Sequence, residues 1–156
     1  MGKGNRGFTL VELLIVIVII GIVSTIGFFG AAPTYFKRAR DAQRKTDLQQ
    51  IRGALEIYRA DMGVYPSSGG TYQIQGCGNP CGNTACTWGG AWTCGSPAST
   101  YISKLPNDPQ GVNYRYSSTG TTYTLEACLE NANDSQGVTP SFGACTSGKA
   151  FQLKNP

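Results

Sequence analysis

The 156-residue sequence contains no histidine. This absence excludes Ser-His-Asp and Cys-His catalysis, and it excludes metal sites that need an imidazole ligand. Charged residues are also few, at 14% of the chain, and beyond Met62 the two signs balance at four each. The formal net charge of +4 therefore does not indicate a nucleic-acid-binding surface on the C-terminal part. We predict that the chain is not an enzyme.

Cysteine is absent from the first 76 residues, and all six cysteines lie beyond them. An even number of cysteines in a glycine-rich exterior predicts disulfides formed in an oxidising compartment. A zinc site is the alternative, because four of the thiols lie close together, but their spacings lack the paired two-residue gaps of common zinc ribbons. We therefore predict disulfides and no metal. The cysteines are Cys77, Cys81, Cys86, Cys94, Cys128 and Cys145.

Long apolar runs are missing except for one, which occupies residues 8–33. As a helix, the run before Pro33 would extend about 37 Å at 1.5 Å per residue, enough to cross a hydrocarbon core. It is longer than the apolar core of a cleaved signal peptide, so we predict a transmembrane segment. Its one charged side chain is that of Glu12. Because a carboxylate at a bilayer centre costs roughly 2.5–3.5 kcal/mol, we predict a functional role for Glu12.

The beginning of the chain resembles the class III leader of type IV pilins and the related pseudopilins. The shared pattern is a short basic leader ending at Gly7, then Phe8, then Glu12 five residues into the mature chain, then the apolar run. The resemblance implies cleavage after Gly7 and N-methylation of Phe8 by a prepilin peptidase on the cytoplasmic side. It also implies that Glu12 pairs with the N-terminal amine of an adjacent subunit, so that each buried charge offsets the desolvation of the other.

We predict an α+β fold, with one long N-terminal helix packed on a small antiparallel sheet, as the resemblance implies, and with loops that the cysteines link by disulfides. We divide the chain into a leader (1–7), a transmembrane and assembly helix (8–33), an amphipathic half of the same helix (34–62) and an extracytoplasmic globular domain (63–156). The resemblance extends to Leu105-Pro106-Asn107-Asp108-Pro109 more weakly.

Apolar side chains recur at helical spacing in the second half of the predicted helix, and we expect this stripe to pack on the sheet. Residues 34–47 show no such stripe. The stripe consists of Leu48, Ile51, Leu55, Tyr58 and Met62.

Three glycines and one proline interrupt the apolar run. Glycine lowers helix stability by up to about 1 kcal/mol and an interior proline by about 3 kcal/mol. The resemblance implies that part of this segment loses helicity on assembly, whereas close helix packing is the alternative role for small residues in such a run. The predicted positions of helix flexibility are Gly21, Gly27, Gly30 and Pro33.

In the exterior domain, residues 113–117 and 121–129 alternate and predict a hairpin. Residues 150–153 predict an edge strand, and residues 101–105 predict a single turn. Alternation directs Cys128 away from the core-facing side of its strand, which favours a Cys128–Cys145 disulfide. The other four cysteines allow three pairings, which stay open.

Several polar side chains are candidates for ligands or contacts. The resemblance implies calcium in the C-terminal loops of major pseudopilins, but no ligand pattern aligns here, so we predict no cofactor and keep calcium as the alternative. The candidate oxygen ligands are Asp108, Glu126, Glu130, Asn131, Asn133 and Asp134. The candidate contacts for anionic lipid head groups or DNA are Arg40, Arg44 and Lys45.

The resemblance leads us to predict the structural subunit of a type IV pilus that serves adhesion, twitching motility or DNA uptake. Its partners would be further copies in a helical homopolymer, the prepilin peptidase, an inner-membrane platform, an assembly ATPase and, before assembly, membrane lipid. We expect a single-pass subunit with a cytoplasmic N-terminus that later joins a cell-surface filament. The stapled cysteine-rich tract favours a pilin over the alternative, a major pseudopilin of type II secretion. A further alternative is a membrane-anchored extracellular binding module that uses Trp88 and Trp92.

Overall fold

The computed structural model describes residues 7–29, 32–82 and 84–155, including the side chains except those of residues 26–29, 32 and 33. Over these ranges, two helices precede five short strands, which confirms the predicted α+β fold class. The elements are α1 (Leu10–Phe29), α2 (Ala32–Met62), β1 (Trp92–Cys94), β2 (Ser99–Ile102), β3 (Arg115–Ser118), β4 (Tyr123–Cys128) and β5 (Ala150–Lys154). The chain divides into a compact unit that ends at Phe36 and a second that begins at Lys37.

Helix α1 belongs to the first unit. Its apolar side chains are exposed from Leu10 through Val23. Across residues 7–29, 32–82 and 84–155, no helix combines the length and apolarity needed to cross a membrane. We predicted that one continuous helix runs through residues 30 and 31. These two residues lie outside the described residues, so the continuity of the helix there stays a prediction.

Helix α2 supplies one wall of the hydrophobic core in the second unit. Its side chains at Leu48, Ile51 and Leu55 are fully buried, and Tyr58 is nearly so, as the helical spacing predicts. Met62 is 44% exposed, so its predicted place in the stripe is wrong. The helix ends at that residue, and the next, a glycine at a φ of 77°, takes the left-handed conformation that terminates helices.

The second wall is an antiparallel sheet with the strand order β3-β4-β5. Tyr116 pairs with Leu125 across the hairpin, and Leu125 pairs with Leu153 of the edge strand. The predicted hairpin and edge strand are therefore confirmed. Tyr116, Tyr123 and Leu125 are buried against the helix stripe in one core cluster.

A second, two-stranded sheet of β1 and β2 covers the C-terminal part of α2, and the sequence did not predict it. The prediction of a single turn at residues 101–105 is wrong for residues 101 and 102, which belong to β2 and pair with β1. The ring of Trp92 lies 5.4 Å from that of Tyr58 and 5.5 Å from that of Tyr101, measured between centroids. These strands are too short to carry a clear alternating pattern, and aromatic packing on the helix stabilises them instead.

Three disulfides staple the loops of the second unit. Cys77 is joined to Cys86, and Cys81 is joined to Cys94, which selects one of the three pairings that the sequence left open. Cys128 is joined to Cys145, the pair favoured by strand alternation. The tract between α2 and β1 is therefore organised by covalent links and isolated bridges rather than by regular elements.

Candidate functional site

The peptide bond between Gly7 and Phe8 lies in exposed, non-helical backbone that precedes α1. Phe8 is 77% exposed, and among the described residues other than the chain neighbours of Gly7, no atom lies within 4 Å of the position that a side chain on Gly7 would occupy. On its described side, from Gly7 onwards, this bond is therefore exposed and lies outside the helix.

Glu12 lies in the first turn of α1, where it has a role within the subunit. Its backbone N–H donates to Oγ1 of Thr9 at 3.3 Å, and the Thr-x-x-Glu spacing is that of a capping box. A carboxylate in the first turn also interacts favourably with the positive end of the helix dipole. The observed cap uses the backbone N–H of Glu12 and the side chain of Thr9, so it does not depend on the Glu12 carboxylate.

The residues predicted to give helix flexibility are distributed over both helices. Gly21 and Gly27 lie within α1, and Pro33 is the second residue of α2, where the first turn tolerates proline. Gly30 lies outside the described residues.

The first half of α2 carries a buried polar continuation of its apolar stripe. Asp41, Arg44 and Asp47 are each at most 3% exposed, and they share the face of Leu48 and Ile51. This buried face was not predicted from the sequence, because charged side chains at such spacing are usually solvated. The available signal was the helical spacing itself, which continues unbroken into the apolar part.

Arg44 is the centre of an ionic cluster that joins α2 to two loops. Its Nε and Nη2 donate to the two carboxylate oxygens of Asp108 at 2.5 and 3.1 Å. Its Nη1 donates to Asp41 and to Glu130, both at 2.8 Å. Burial acts to lower the pKa of Arg44, but hydrogen bonds to the three carboxylates outweigh it and raise the pKa overall.

The loop after β4 is held to α2 through the side chain of Glu130 and through the backbone at Glu130 and Asn131. Nε and Nη2 of Arg40 donate to the Glu130 carboxylate at 2.7 and 2.6 Å, and the backbone N–H groups of Glu130 and Asn131 donate to Asp41 at 2.9 Å. The hydrogen bond from Arg40, assisted by Arg44, lowers the pKa of Glu130 to about 2.

Lys45 completes the ionic cluster. Its ammonium donates to both oxygens of Asp134 at 2.8 and 2.7 Å, which lowers the pKa of that carboxyl. The ammonium also lies 5.6 Å from the ring centroid of Phe151 on β5. The three cations predicted as contacts for lipid head groups or DNA therefore make their hydrogen bonds within the chain. The ionic cluster consists of Arg40, Asp41, Arg44, Lys45, Asp108, Glu130 and Asp134.

Asp47 connects α2 to the aromatic core. Its carboxylate accepts from the hydroxyl of Tyr114 at 2.5 Å and from Nε2 of Gln43 at 2.7 Å. Burial, with a further contribution from Asp47, raises the pKa of Tyr114. The tyrosine therefore stays a neutral donor that fixes the start of β3 against the helix.

The candidate calcium ligands do not fit a calcium site. Asp108, Glu130 and Asp134 are bound to the cations of α2, and the buried Glu126 accepts from Ser141 and Gln152 at 2.7 and 2.8 Å. Within the described part of the chain, no three cysteine or acidic side chains lie close enough together to hold a metal ion. Arginine and lysine occupy the carboxylate oxygens that calcium would need.

The two tryptophans proposed as a recognition surface have different environments. Trp92 is fully buried, and its Nε1 donates to the carbonyl of Gly76 at 2.9 Å, so the prediction is wrong for this residue. Trp88 lines a surface pocket of about 260 Å³.

Two family models match this chain. The prokaryotic N-terminal methylation motif matches residues 2–28, which places the chain in the class of subunits that carry a prepilin leader. The model of type II secretion system (T2SS), protein G, matches residues 33–141. The chain belongs to the type II secretion system protein G family, which is a structural family and not an enzyme family.

Individual relatives agree with this assignment. The type II secretion system core protein G of Vibrio cholerae is 30% identical over 140 residues, which cover 86% of each protein. That of Pseudomonas aeruginosa is 29% identical over 141 residues, covering 86% of this chain and 89% of the relative. The type IV major pilin protein PilA of Myxococcus xanthus is 38% identical over 64 residues, covering 39% of this chain and 27% of the relative. No solved structure matches the chain at a significant level.

The comparisons support the alternative, a secretion pseudopilin, better than the pilus that the sequence analysis preferred. That preference depended on the stapled cysteine-rich tract, which lies within residues 33–141 and so within the protein G match. The cysteine-rich tract of this chain therefore does not count against the protein G family.

Proposed function

We propose that this chain is the major pseudopilin of a type II secretion system, a structural subunit that polymerises through its N-terminal helix. The observation that carries this proposal is the protein G match over residues 33–141 beside a methylation motif over residues 2–28. The resulting filament would move folded proteins outward across the cell envelope. Force would come from an assembly ATPase and an inner-membrane platform.

Processing precedes assembly in this proposal. A prepilin peptidase cleaves after Gly7 and methylates the new amine of Phe8, and the exposed, non-helical backbone at this bond supports the choice of site. Helix α1 anchors the subunit at the membrane until it joins the filament, with the leader on the cytoplasmic side. The exposed apolar side chains from Leu10 to Val23 support contact with lipid first and with other subunits later.

Glu12 then pairs with the amine of Phe8 on a neighbouring subunit. A buried carboxylate and a buried ammonium each cost several kcal/mol alone, and pairing offsets part of that cost. The pair would therefore favour correctly registered subunits over isolated ones.

The test compares wild type with Glu12→Gln and Glu12→Ala in cells. Glutamine removes the charge and keeps a side chain of similar size that fits a capping box, whereas alanine removes both the charge and that side chain. The hydrogen bond from the N–H of residue 12 to Thr9 can form in both variants. We expect both variants to accumulate as processed subunits but to lose filaments and secretion. A variant Glu12→Gln that assembles normally would exclude the charge pair and leave a capping role.

A type IV pilus is the second candidate, favoured by the match to the pilin PilA over 64 residues. Deletion of the gene distinguishes the two. Loss of secreted proteins from the medium, with surface fibres unchanged, supports the pseudopilin. Loss of long surface fibres with normal secretion supports the pilus. In either case, mass spectrometry should show that the mature chain begins at a methylated Phe8.

A further inference from the structure

We propose that the outer edge of β5 docks an extended acidic segment of another protein, which joins the sheet as an additional strand. Strand β5 stands at the end of the order β3-β4-β5, so β4 pairs with only one of its two edges. Strand addition satisfies backbone groups that a sheet edge leaves unpaired. This proposal does not depend on which filament the chain builds.

The open part of the edge lies at Gln152 and Lys154. Ala150 exchanges two backbone hydrogen bonds with Val138, at 2.8 and 2.9 Å, so its N–H and C=O point away from β4. Because this direction alternates along an antiparallel strand, the N–H and C=O groups of Gln152 and Lys154 point the same way. Among the described residues, none of these four groups has a backbone hydrogen-bond partner. An added strand would supply partners at both residues.

A basic flank of α2 runs beside this edge, and it consists of Lys45, Arg52 and Arg59. Their spacing of seven residues places them on one side of the helix, with a drift of only about 20° per step. The Lys45 ammonium lies 5.6 Å from the ring centroid of Phe151, so this side of the helix is next to β5.

Arg52 is level with the open end of β5. The Glu56 carboxylate, one turn further along the helix, accepts from the hydroxyl of Tyr123 at 3.4 Å. Tyr123 directly precedes the residue that pairs with Lys154. Arg52 lies between Lys45 and Glu56 on the helix, so its level is that of the last residues of β5. It is half-buried, and it forms no ion pair among the described residues.

The charge at the edge favours an acidic segment. Lys154 is exposed, and it too forms no ion pair among the residues that the structure describes. Side chains of an added strand would alternate between the helix side, where Arg52 lies, and the outer side, where Lys154 lies. Acidic side chains would therefore find a cation on either side. Backbone hydrogen bonds would give affinity, and the charges would give specificity.

A second copy of this chain does not fit the site. Lysine on an edge strand disfavours pairing between like edges. Eight acidic residues follow Glu12 in the sequence, and seven of them already accept hydrogen bonds within the chain. The seven are Asp41, Asp47, Glu56, Asp108, Glu126, Glu130 and Asp134. The acidic segment therefore comes from a different protein.

The test uses the full chain in a non-ionic detergent, with three short synthetic peptides whose ends are blocked. The first peptide alternates glutamate and valine, the second has lysine in place of glutamate, and the third has proline in place of valine. Proline keeps the negative charge but removes every second N–H donor. We expect the first peptide to bind about tenfold more tightly than either of the others, by titration calorimetry. Its binding should weaken as salt is added.

Hydrogen exchange distinguishes strand addition from a general attraction between charges. With the first peptide at ten times its dissociation constant, the amides of Gln152 and Lys154 should exchange about tenfold more slowly. The amides of Phe151 and Leu153, which point towards β4, should change much less. Such alternation along β5 is expected only if a strand pairs with its outer edge.

Variants at one position separate the charge from the backbone donor. Lys154→Gln removes the charge and should weaken binding about twofold. Lys154→Pro also removes the outward N–H, which an edge position tolerates, and should weaken binding about tenfold. Arg52→Gln should act like Lys154→Gln. Lys104→Gln removes an exposed lysine beyond the end of β2 and should leave binding unchanged.

Several results would overturn the proposal. They are no binding of the first peptide, equal binding of the lysine or proline peptide, uniform slowing of exchange along β5, or equal affinities of Lys154→Gln and Lys154→Pro. Slowed exchange at Gln152 and Lys154 on raising the protein concentration without peptide would assign the edge to a second copy instead. If Lys154→Pro alters the circular dichroism of the fold, Lys154→Gln and the exchange pattern decide.

Discussion

The guanidinium of Arg44 and the carboxylate of Asp108 form a two-point hydrogen bond in the interior, although 64 residues separate them in sequence. Both side chains are at most 3% exposed. The pair connects the first half of α2 to the loop that precedes β3. Because Arg44 also binds Asp41 and Glu130, it is the shared counter-charge of three carboxylates at this junction.

We therefore expect Arg44→Met to lower the free energy of unfolding by about 3–5 kcal/mol, because it leaves buried carboxylates without a counter-charge. Urea denaturation followed by circular dichroism measures this. Arg38→Met is the matched control on the exposed side of the same helix, and its effect should stay within about 0.5 kcal/mol. Equal effects of the two variants would contradict the central role of Arg44.

Acid should destabilise the fold through Glu130. Its pKa in the folded chain is about 2, below the ordinary value of 4.5. The contribution of Glu130 is therefore complete above about pH 4.5 and is lost as the pH falls towards 2, by an amount on the order of 2 kcal/mol. Unfolding experiments across this pH range measure the loss. In Glu130→Gln, the free energy of unfolding should fall less steeply with decreasing pH. An unchanged pH dependence would show that other groups cause the acid sensitivity.

Calcium should not stabilise this chain. Its candidate ligands are bound to Arg44, Lys45 and other donors, so we expect the same thermal midpoint in calcium and in the chelator EGTA. A ligand at 100 times its dissociation constant would instead add about 2.7 kcal/mol, which is readily measured as a shift of several degrees. Magnesium serves as the control cation. A rise specific to calcium would show that the ionic cluster rearranges to admit it.

Removal of the Cys128–Cys145 disulfide should loosen the C-terminal loop. The bridge spans 17 residues, for which the chain-entropy estimate is about 3 kcal/mol. We expect the double variant Cys128→Ser, Cys145→Ser to lose about this amount. Hydrogen exchange should accelerate within residues 131–146 while the β3–β4 hairpin stays protected. Equal acceleration across the hairpin would indicate that the bridge supports the sheet itself.

Features encoded by local periodicity were predictable from the sequence. The helical spacing of Leu48, Ile51 and Leu55 gave the core-facing stripe, and alternation gave the hairpin and the position of Cys128 relative to the core. Each depends on a pattern of 3.6 or 2 residues that needs no knowledge of the rest of the chain.

Features that depend on distant partners were not predictable in this way. Asp41 and Arg44 look like a solvated helix face until Asp108 and Glu130 are placed beside them. The strands β1 and β2 have three and four residues and are stabilised by the ring of Tyr58. The choice between a pilus and a pseudopilin was not predictable either, since cysteine-rich loops indicate an oxidising compartment and do not identify the filament.

The disulfides have a mechanical consequence. Helix α2 contains no cysteine, and the bridges close loops of 9, 13 and 17 residues beyond it. A pulling force transmitted along the helix would therefore meet hydrogen bonds, ion pairs and apolar contacts, and no disulfide would bear the load. Under tension the helix would detach first, at Arg44 and the Leu48 stripe, while the stapled exterior stayed folded.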